Sequence, residues 1–434
     1  MKYNNVFVNQ ALDRINPLQL KEIQELSQKS KEDKNFIFSD LKYLFTREFL
    51  HGSLNTLNNP KAVGVDNIPI KKFKHGHSRE SDIDTWIQTI IHGTYKVDPA
   101  LERLAIINSK ERIFKIPTVK DKVIQKVISI ILSAIFDPLF TNHTFGYRPG
   151  DRWSHKKALN QAKDLFRQSK LHYIIDIDIK DFFGSIDKEI LLSFISKRVT
   201  DRTITRIISD FFNAGTINWE DDYYEANRFG INQGSPLSPV LANIYMHYIY
   251  DDWFYKSDFG NCGRTIRYAD DIIVGIRNLS QAENFINQLK IHFAVFNISL
   301  SHKKPKTIIA LDDIIDKNIP IDFLGYSYYI SSLPKNFRHM STRKVISVIS
   351  DKKIEQKKQE FLNWLTTRAQ ILNDDNRLSD FRYKLQYFCN YYKDDKKSKK
   401  KLEEFKNWAV VEYLKEFPYK IDKETLSTNK EVME

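Results

Sequence analysis

Apolar and polar residues alternate along residues 171–180, LHYIIDIDIK, as they do in a β-strand. The odd-numbered positions from Tyr173 to Ile179 are aromatic or aliphatic and would share one face. Asp176 and Asp178 would lie on the opposite face. The pattern therefore predicts a strand that carries two carboxylates close to its end.

A second strand pattern, RTIRYADDIIVGI, occupies residues 264–276 and contains Asp270 and Asp271. The β-branched runs on either side of the aspartates predict a β-hairpin with carboxylates at its tip. An unpaired carboxylate is costly among buried apolar side chains, so these charges need a partner that offsets their desolvation.

Helical periodicity accounts for most of the remaining chain. Residues 123–135 form an apolar face, and Thr118 with Asp121 is a capping pair ahead of it. In 233–254, Ser238 is predicted to cap a helix. Further elements are predicted as short helices within 1–60, a helix at about 280–297, an aromatic strand at 322–330, and a lysine-rich helical region from about 340 to 416.

Composition narrows the class of protein. The 434 residues are 41% hydrophobic, enough for two or three subdomains, and the net charge of +12 favours a polyanionic partner such as nucleic acid. Cys262 and Cys389 are the only cysteines, which excludes a disulfide framework and a cysteine-based zinc cluster. The longest apolar run, at 127–136, is too short to span a bilayer. We expect a cytoplasmic protein with no membrane association.

The two strand patterns together indicate a metal site. Mg²⁺ prefers carboxylate oxygens and substrate phosphates as ligands. Two neighbouring strands that each end in aspartate are a scaffold for two-metal phosphoryl transfer. Adjacent aspartates alone are weak evidence, because most of the five other pairs, such as Asp251–Asp252, are expected to lie on solvated turns or helix faces.

Eight motifs, all within about residues 60–330, occur in the order found in prokaryotic reverse transcriptases, and the chain resembles the group II intron-like class of that family. They are KAVGVDNIPI, RIFKIPTVKDKVIQ, FGYRPGDRWSHKKAL, DIDIKDFFGSID, NQGSPLSPVLANIY, RYADDIIVG, LSHKKPKT and DFLGYSY.

The resemblance implies an α+β right-hand polymerase with fingers, a palm built on an antiparallel sheet, and a helical thumb. We expect an N-terminal helical extension in 1–60 and fingers in 61–170. The palm is expected in 171–330, with a finger-like insertion at about 188–230, and a thumb with a basic C-terminal segment in 331–434.

The resemblance also implies the catalytic residues. Asp178 and Asp270 would ligate two Mg²⁺ ions, for which Mn²⁺ could substitute, together with Asp271 and the backbone carbonyl of Ile179. Asp176 shares the strand face of Asp178 but lies outside the matched position. The expected reaction is RNA-directed DNA synthesis from deoxynucleoside triphosphates.

Further residues match positions that bind the nucleotide or the template and primer. For the nucleotide these are Arg112, Lys120, Phe182, Phe183, Gln233 and Lys306, with Lys303 or Lys304 as alternatives to Lys306. Phe183 is preferred as the ring that excludes a 2′-hydroxyl, although core packing remains an alternative for either phenylalanine. For template and primer they are Arg148, Gly234 and Tyr268.

The thumb resemblance is weak. The segment FRYKLQYFCNYYK at 381–393 resembles intron-type thumbs only faintly, and its aromatic residues could equally pack in the core. The lysine run at 393–401 is either a solvated face or a contact to nucleic-acid backbone. No Cys/His cluster follows, so an intron-type nuclease domain is not expected.

The chain is most similar to the domesticated, unknown-group reverse transcriptases. By analogy with them, we expect a structured noncoding RNA as template, a cDNA product and a role in antiphage defence. The alternatives are a maturase-type protein whose main role is RNA binding and a template-independent nucleotidyl transferase. The sequence does not identify a protein partner.

Overall fold

The computed structural model describes residues 17–57, 62–75, 79–107, 110–218, 222–224, 226, 228–301, 307–331, 343–392 and 396–417. Its contacts divide the chain into two compact units. The larger contains residues 2–105 and 113–312, and the smaller contains Met1, 106–112 and 313–434. The four-part division expected from sequence remains a prediction.

The larger unit is mixed α and β, which confirms the predicted α+β class. Its helices are α1 (Pro17–Glu32), α2 (Arg47–Thr56), α3 (Ile70–His75), α4 (Arg79–Ile91), α5 (Val119–Phe136), α6 (His155–Arg167), α7 (Phe182–Ser185), α8 (Lys188–Ser196), α9 (Arg202–Asn213), α10 (Ser238–Met246), α11 (Asp252–Lys256), α12 (Phe259–Cys262) and α13 (Leu279–Val295). A π-helical segment, His247–Asp251, joins α10 to α11. Short 3₁₀ turns lie at Lys42–Leu44, Asp137–Leu139 and Asp151–Trp153.

Helix α5 lies at the centre of this unit and is almost completely buried. Its N-terminus begins as predicted, because the Thr118 hydroxyl accepts a hydrogen bond of 3.3 Å from the Asp121 amide. Helices α1 and α2 pack against it. The core that results also contains apolar residues of α8, α10 and α13. Burial of a helix on all sides explains why its sequence is apolar around most of its circumference.

A five-stranded sheet, in the order β3–β7–β8–β4–β9, packs beside this core. All of its neighbours are antiparallel except β3 and β7. The strands are β3 (Thr144–Phe145), β4 (Tyr173–Ile177), β7 (Arg264–Tyr268), β8 (Asp271–Ile276) and β9 (Ile308–Ala310). Strand β4 lies between β8 and β9, and Ile174 is buried although it shares a face with Asp176.

A smaller four-stranded sheet has the order β2–β1–β5–β6. Its strands are β1 (Ala100–Ile107), β2 (Lys110–Ile116), β5 (Thr216–Ile217) and β6 (Tyr223–Tyr224). The parallel pairing of Ala100 with Thr216 joins segments that are more than a hundred residues apart in sequence. No local sequence pattern predicts that pairing.

The smaller unit contains a three-stranded antiparallel sheet and a helical cluster. The strands are β10 (Ile321–Phe323), β11 (Tyr326–Ser331) and β12 (Lys344–Ile349), and helix α14 (Leu311–Lys317) precedes them. The helices are α15 (Asp351–Thr366), α16 (Asp374–Tyr392) and α17 (Lys399–Glu416), with a 3₁₀ turn at Ala369–Ile371. Along the residues the structure describes, no helix has the length and apolar character needed to cross a membrane.

Three local predictions were wrong. The aromatic segment 322–330 is two strands joined by Leu324–Gly325, because both residues adopt positive φ and turn the chain. Strand β12 lies within the region predicted to be helical, since its alternating residues pair with β11. Ser238 does not cap α10; it is the first helical residue, and its hydroxyl donates to the Asn232 carbonyl at 2.7 Å.

The first testable property is the buried carboxyl of Asp121 at the start of α5. Its side chain is fully buried and accepts hydrogen bonds from the Tyr95 hydroxyl and, at 3.0 Å, from the Asp98 amide. Burial raises the pKa of Asp121 from 3.8 to about 6. The folded chain therefore binds this proton more tightly than the unfolded chain does. The stabilisation is complete below pH 3.8 and is lost as pH rises through about 6.

We expect Asp121→Asn to remove this component of the pH dependence. The free energy of unfolding of the wild type minus that of the variant should fall by about 2–3 kcal/mol between pH 4 and pH 6.5. Urea denaturation at half-unit pH steps measures the difference. A pH-independent difference would contradict the assignment of the raised pKa to this carboxyl.

Candidate active site at the carboxylate hairpin

The β7–β8 hairpin presents the aspartate pair on a two-residue turn. Tyr268 pairs with Asp271, which leaves Ala269 and Asp270 as the connecting residues. Ala269 has a φ of +56°, a conformation that a non-glycine residue adopts only where neighbouring contacts enforce it. Asp270 is half-buried and Asp271 is exposed. The turn places the first carboxylate at the tip and the second at the start of β8.

The register of the sheet places Asp178 at the same edge. Ile177 of β4 pairs with Ile272 of β8 in an antiparallel register. Asp178, the residue after Ile177, therefore lies opposite Asp271. The backbone carbonyl of Asp178 accepts a hydrogen bond of 2.7 Å from the amide of Ser301, and Ile179 bridges to Leu300. Asp178, which follows β4, and the Asp270–Asp271 pair at the β7–β8 turn therefore lie at the same edge of the sheet.

The donor chemistry of this edge fits a hard divalent cation. Asp178 is half-buried, as is Asp270, and the pairing of β4 with β8 places them on adjacent strand ends. Within the described ranges, no group of three histidine, cysteine, aspartate or glutamate side chains forms a complete metal site. Magnesium sites commonly use only one or two protein carboxylates, because substrate phosphates complete the coordination. The carboxylates at this edge have the oxygen donors that such an ion prefers, and the described residues hold no group of three side chains placed to bind it without substrate.

A buried arginine ties the turn to the core. Arg267 has no exposed surface, and its guanidinium donates to both carboxylate oxygens of Asp251 at 2.9 and 2.6 Å. The same guanidinium donates to the side-chain oxygen of Asn243 at 3.0 Å and to the backbone carbonyl of Ala269 at 2.9 Å. The last of these bonds fixes the turn residue that precedes Asp270.

Asp251, on the π-helical segment, is the partner that the sequence interpretation missed. It is 1% exposed and also accepts a hydrogen bond of 3.0 Å from the Thr144 hydroxyl. The expectation that most adjacent aspartates are solvated is therefore wrong for this one. The sequence spacing could have predicted this burial, because Asp251 lies seven residues after Ile244 and so falls on the buried side of the helix. π-Helical segments are often found at functional sites.

Tyr268 lies against the backbone of the FGYRPG motif. A methyl group at Gly146 would approach its ring to 3.1 Å, so the ring covers this glycine directly. Asn243 holds the same glycine through a hydrogen bond of 2.9 Å from its amide to the Gly146 carbonyl. The ring of His155 meets Tyr268 edge-on at 5.6 Å. Tyr268 is therefore placed beside the carboxylates by contacts within the larger unit.

Gln233 and Gly234 lie in the turn before α10. The Gln233 carbonyl accepts a hydrogen bond of 3.2 Å from the Lys115 amide, which joins the turn to β2. Gly234 is exposed with a φ of +105°, and a methyl group there would meet only ordinary contacts at 3.5 Å and beyond. Within this chain, the glycine is needed for backbone conformation and not for space.

A cleft of about 260 Å³ opens beside this turn. Its lining includes the backbone of Asn232 and Gln233, the aromatic rings of α9, and two lysines, Lys115 and Lys188. Burial and the charge of Lys115 lower the pKa of Lys188 to about 8. Its ammonium group donates to the Phe212 carbonyl at 2.8 Å. The cleft thus combines aromatic and aliphatic residues with two lysines and with Asp181.

The two phenylalanines after Asp178 occupy different environments. Phe182 is 3% exposed and belongs to the hydrophobic core. Phe183 is half-buried against that core, and its backbone carbonyl accepts a hydrogen bond of 3.0 Å from Ile231. The two rings meet edge-on at 5.6 Å. Of the pair, only Phe183 has an accessible face.

Arg148 lies in the protein interior, and its predicted role at template and primer stays a prediction. It is 2% exposed, and it donates to Asp137 at 2.6 Å and to the carbonyls of Thr141 and Thr144 at 2.7 and 2.9 Å. Its guanidinium lies 3.4 Å from the centre of the Trp153 ring. A phosphate could reach it only if this packing were broken.

Of the other lysines and arginines predicted to bind the nucleotide, the structure describes the side chain of Lys120 alone. Lys120 is partly exposed, pairs with Asp98 at 3.0 Å and donates to the Lys96 carbonyl at 3.1 Å. Arg112 lies in β2, but its side chain is outside the described residues. Lys303, Lys304 and Lys306 also lie outside them. Their roles remain predictions from sequence.

Comparison with known proteins gives one family and several relatives. The family model described as reverse transcriptase (RNA-dependent DNA polymerase) matches residues 99–328. The group II intron-encoded protein LtrA of Lactococcus lactis subsp. cremoris is 33% identical over 229 residues, which is 52% of this chain and 37% of that protein. The match therefore spans only about a third of the relative's length.

Two eukaryotic proteins match the chain at lower identity. The uncharacterized 91 kDa protein in cob intron of Schizosaccharomyces pombe is 28% identical over 257 residues, 57% of this chain and 30% of its own length. The mitochondrial protein nuclear intron maturase 4 of Arabidopsis thaliana is 25% identical over 173 residues, 40% of this chain and 21% of its own length.

The Arg267 network gives the second prediction. Arg267→Lys keeps the charge, but an ammonium group lacks the planar fork that binds Asp251 and the Ala269 carbonyl together. We expect the free energy of unfolding to fall by about 1–3 kcal/mol, since a buried acceptor loses its donor. Amide hydrogen exchange at the Ala269–Asp270 turn should accelerate more than exchange elsewhere in β7 and β8.

Arg264→Lys is the matched control, because Arg264 lies on the same strand and is exposed. It should change stability by no more than about 0.5 kcal/mol. Equal effects of the two substitutions, or exchange that accelerates uniformly along the hairpin, would contradict the proposed link between Arg267 and the turn.

Proposed function

Since the chain belongs to the reverse transcriptase (RNA-dependent DNA polymerase) family, we propose that it is an RNA-directed DNA polymerase that makes cDNA by two-metal nucleotidyl transfer. The observation that carries the proposal is the register of the sheet, which brings Asp178, after β4, to the same edge as Asp270 and Asp271 of the β7–β8 hairpin. The mixed α and β architecture agrees with a right-hand polymerase fold.

The carboxylates would hold two Mg²⁺ ions, which lower the pKa of a primer 3′-hydroxyl and neutralise charge on the leaving pyrophosphate. The protein's part is to keep Asp178 and Asp270 at a fixed separation. Strand pairing from Ile177 to Ile272 supports the first position, and the hydrogen bond from Arg267 to Ala269 supports the second. The Ile179 carbonyl remains a proposed further ligand.

The substrates would approach along the turn at Gln233. Gln233 and Gly234 are proposed to contact the nucleotide and the template, and the adjacent cleft offers the cationic groups of Lys115 and Lys188 to phosphates. Phe183 is proposed to lie under the incoming sugar, because its ring is accessible whereas that of its neighbour is buried. These placements support the assignment of the site to a polymerase.

The first test of function removes the carboxylate of Asp270 in the β7–β8 hairpin. Asp270→Ala should reduce primer extension on an RNA template by about 10³-fold or more, because a metal ligand contributes several kcal/mol of transition-state stabilisation. Asp312→Ala, which removes a carboxylate whose side chain is 74% exposed, is the matched control and should retain wild-type activity. Extension that survives in Asp270→Ala would refute the proposed chemistry. A reaction without template would distinguish a terminal transferase.

The second test concerns sugar selection. Phe183→Ala should admit a 2′-hydroxyl, so the preference for deoxynucleotides over ribonucleotides should fall by about 10–200-fold in single-nucleotide incorporation. Phe36→Ala removes a ring that is 38% exposed and should leave the preference unchanged. An unchanged preference in Phe183→Ala would show that another group excludes the 2′-hydroxyl.

For the biological role, we propose that the template is a dedicated structured noncoding RNA and that its copying serves antiphage defence in the cytoplasm. The role is proposed by analogy with unknown-group reverse transcriptases, and the two free cysteines agree with a reducing compartment. Sequencing of nucleic acid co-purified with wild type and with Asp270→Ala tests it. One RNA enriched in both, with matching cDNA only in wild type, is expected.

The maturase-type alternative makes a different prediction in the same experiment. One relative is named as an intron maturase and another as an intron-encoded protein. A protein whose main role is RNA binding would enrich an RNA without any cDNA that depends on Asp270. That result, with full biological activity in Asp270→Ala, would replace the polymerase role.

A further inference from the structure

Gln125 is a buried amide in helix α5, where most of the other buried side chains are apolar. It is 3% exposed, and it is the last residue of the motif RIFKIPTVKDKVIQ. Burial of an amide costs free energy unless its polar atoms form hydrogen bonds. The side-chain oxygen of Gln125 accepts a hydrogen bond of 2.7 Å from the hydroxyl of Ser235. Gln125 therefore connects its own motif to a second one, NQGSPLSPVLANIY.

The turn that contains Ser235 depends on contacts from other elements, because its centre is a glycine. Gly234 adopts a φ of +105°, and glycine has more backbone freedom to lose on ordering than any other residue. The amide of Ser235 donates to the carbonyl of Asn232 at 3.4 Å, which is long for a hydrogen bond of this kind. The next residue, Pro236, has no amide hydrogen to contribute.

Hydrogen bonds from α10, β2 and α5 hold this turn. On the side of α10, the Ser238 hydroxyl donates to the Asn232 carbonyl at 2.7 Å. On the side of β2, the Lys115 amide donates to the Gln233 carbonyl at 3.2 Å. From α5, the bond to Gln125 reaches the residue directly after the glycine. The contact from β2 thus precedes the glycine in sequence, and the contact from α5 follows it.

The Ser235 hydroxyl links Gln125 to the backbone of the turn. Its oxygen accepts a hydrogen bond of 3.1 Å from the Leu237 amide while its hydrogen is donated to Gln125. A hydroxyl has a single hydrogen, so these two bonds together fix its direction. Without the oxygen of Gln125, the hydroxyl would lose this acceptor at a half-buried position. The backbone after Gly234 would then be held less firmly.

The contacts from β2 and α5 belong to one continuous segment of the chain. Lys115 lies near the end of β2, and Gln125 lies in the second turn of α5. Between them, the hydrogen bond of 3.3 Å from the Asp121 amide to the Thr118 hydroxyl fixes the start of the helix. The segment therefore presents its two contacts to the turn with little freedom to move relative to one another.

We propose that Gln125 is a positioning residue, which acts through Ser235 to hold Gln233 and Gly234 in the conformation that binds the nucleotide and the template. The proposal rests on the proposed function of this turn. Gln125 itself would touch neither substrate, because it is buried in α5 behind the turn. It adds a role for the end of the RIFKIPTVKDKVIQ motif beyond the nucleotide contacts predicted for Arg112 and Lys120.

The kinetic test measures single-nucleotide addition by the full-length chain on an RNA template with a DNA primer. Gln125→Met keeps a side chain of similar length and removes the acceptor oxygen. The nucleotide must then order the turn as it binds. The KM for the deoxynucleotide should therefore rise about 2–10-fold, the effect of losing one hydrogen bond, while kcat changes by less than about twofold. Gln125→Glu keeps an oxygen at the acceptor position and should restore KM to within about twofold of wild type.

Ser133→Ala is the matched control on the same helix. It removes another buried side-chain hydrogen bond, the 2.7 Å bond from the Ser133 hydroxyl to the Ser129 carbonyl, and should leave KM unchanged. Ser235→Ala removes the proposed bond from its other end, so it tests the link even if Gln125→Met fails to fold. It should raise KM at least as much as Gln125→Met, and the double variant should not exceed Ser235→Ala, because both substitutions remove one interaction.

Amide hydrogen exchange in the absence of nucleotide tests the link without reference to activity. Exchange at Ser235 and Leu237 should accelerate in Gln125→Met, because local opening of the turn becomes easier. The same amides should exchange at the wild-type rate in Ser133→Ala.

Several results would overturn the proposal: unchanged exchange at the turn, an equal rise of KM in Ser133→Ala, a loss of kcat at constant KM, or full additivity in the double variant. A wild-type chain that adds no nucleotide would instead refute the proposed function. In that case the exchange measurement still decides whether Gln125 holds the turn, so the two failures are distinguishable.

Discussion

The buried ion pair between Arg267 and Asp251 is the interaction on which the geometry of the carboxylate edge depends. Both side chains are removed from water, a costly arrangement unless every donor and acceptor is satisfied. Here Asn243 and Thr144 complete the hydrogen bonds, and the remaining donor of the guanidinium holds the Ala269 carbonyl. This hydrogen bond holds the Ala269–Asp270 turn, in which Ala269 has a positive φ, in place beside the carboxylate of Asp270. The attraction within the ion pair and these hydrogen bonds offset the cost of burial.

The same network connects the carboxylates to the rest of the larger unit. Asp251 lies on the π-helical segment after α10, and Asn243 lies on α10 itself. The amide of Asn243 holds the Gly146 carbonyl, and the ring of Tyr268 covers that glycine. Three sequence motifs therefore meet through one guanidinium. Such shared support suits the proposed polymerase activity, because it keeps the supported groups in fixed positions relative to one another.

Burial, more than residue type, decides which charged and aromatic residues are available for binding. Arg148 and Arg382 have the same side chain, yet the first is enclosed between carbonyls and Trp153 while the second is exposed on α16. Phe182 and Phe183 are adjacent, but only the second has an accessible face. Each of these differences is set by the neighbouring elements, not by the residue.

Sequence alone determined the strands that end in Asp178 and Asp270, the capped start of α5 and the family, because alternation, capping and motif order are local properties of the chain. Tertiary structure alone decided that β4 pairs with β8 and that Asp251 is the partner of Arg267. Strand partners and buried ion pairs join residues distant in sequence, and no periodicity encodes which of several aspartates meets which arginine. Local patterns specify elements and chemistry, whereas packing specifies which groups meet.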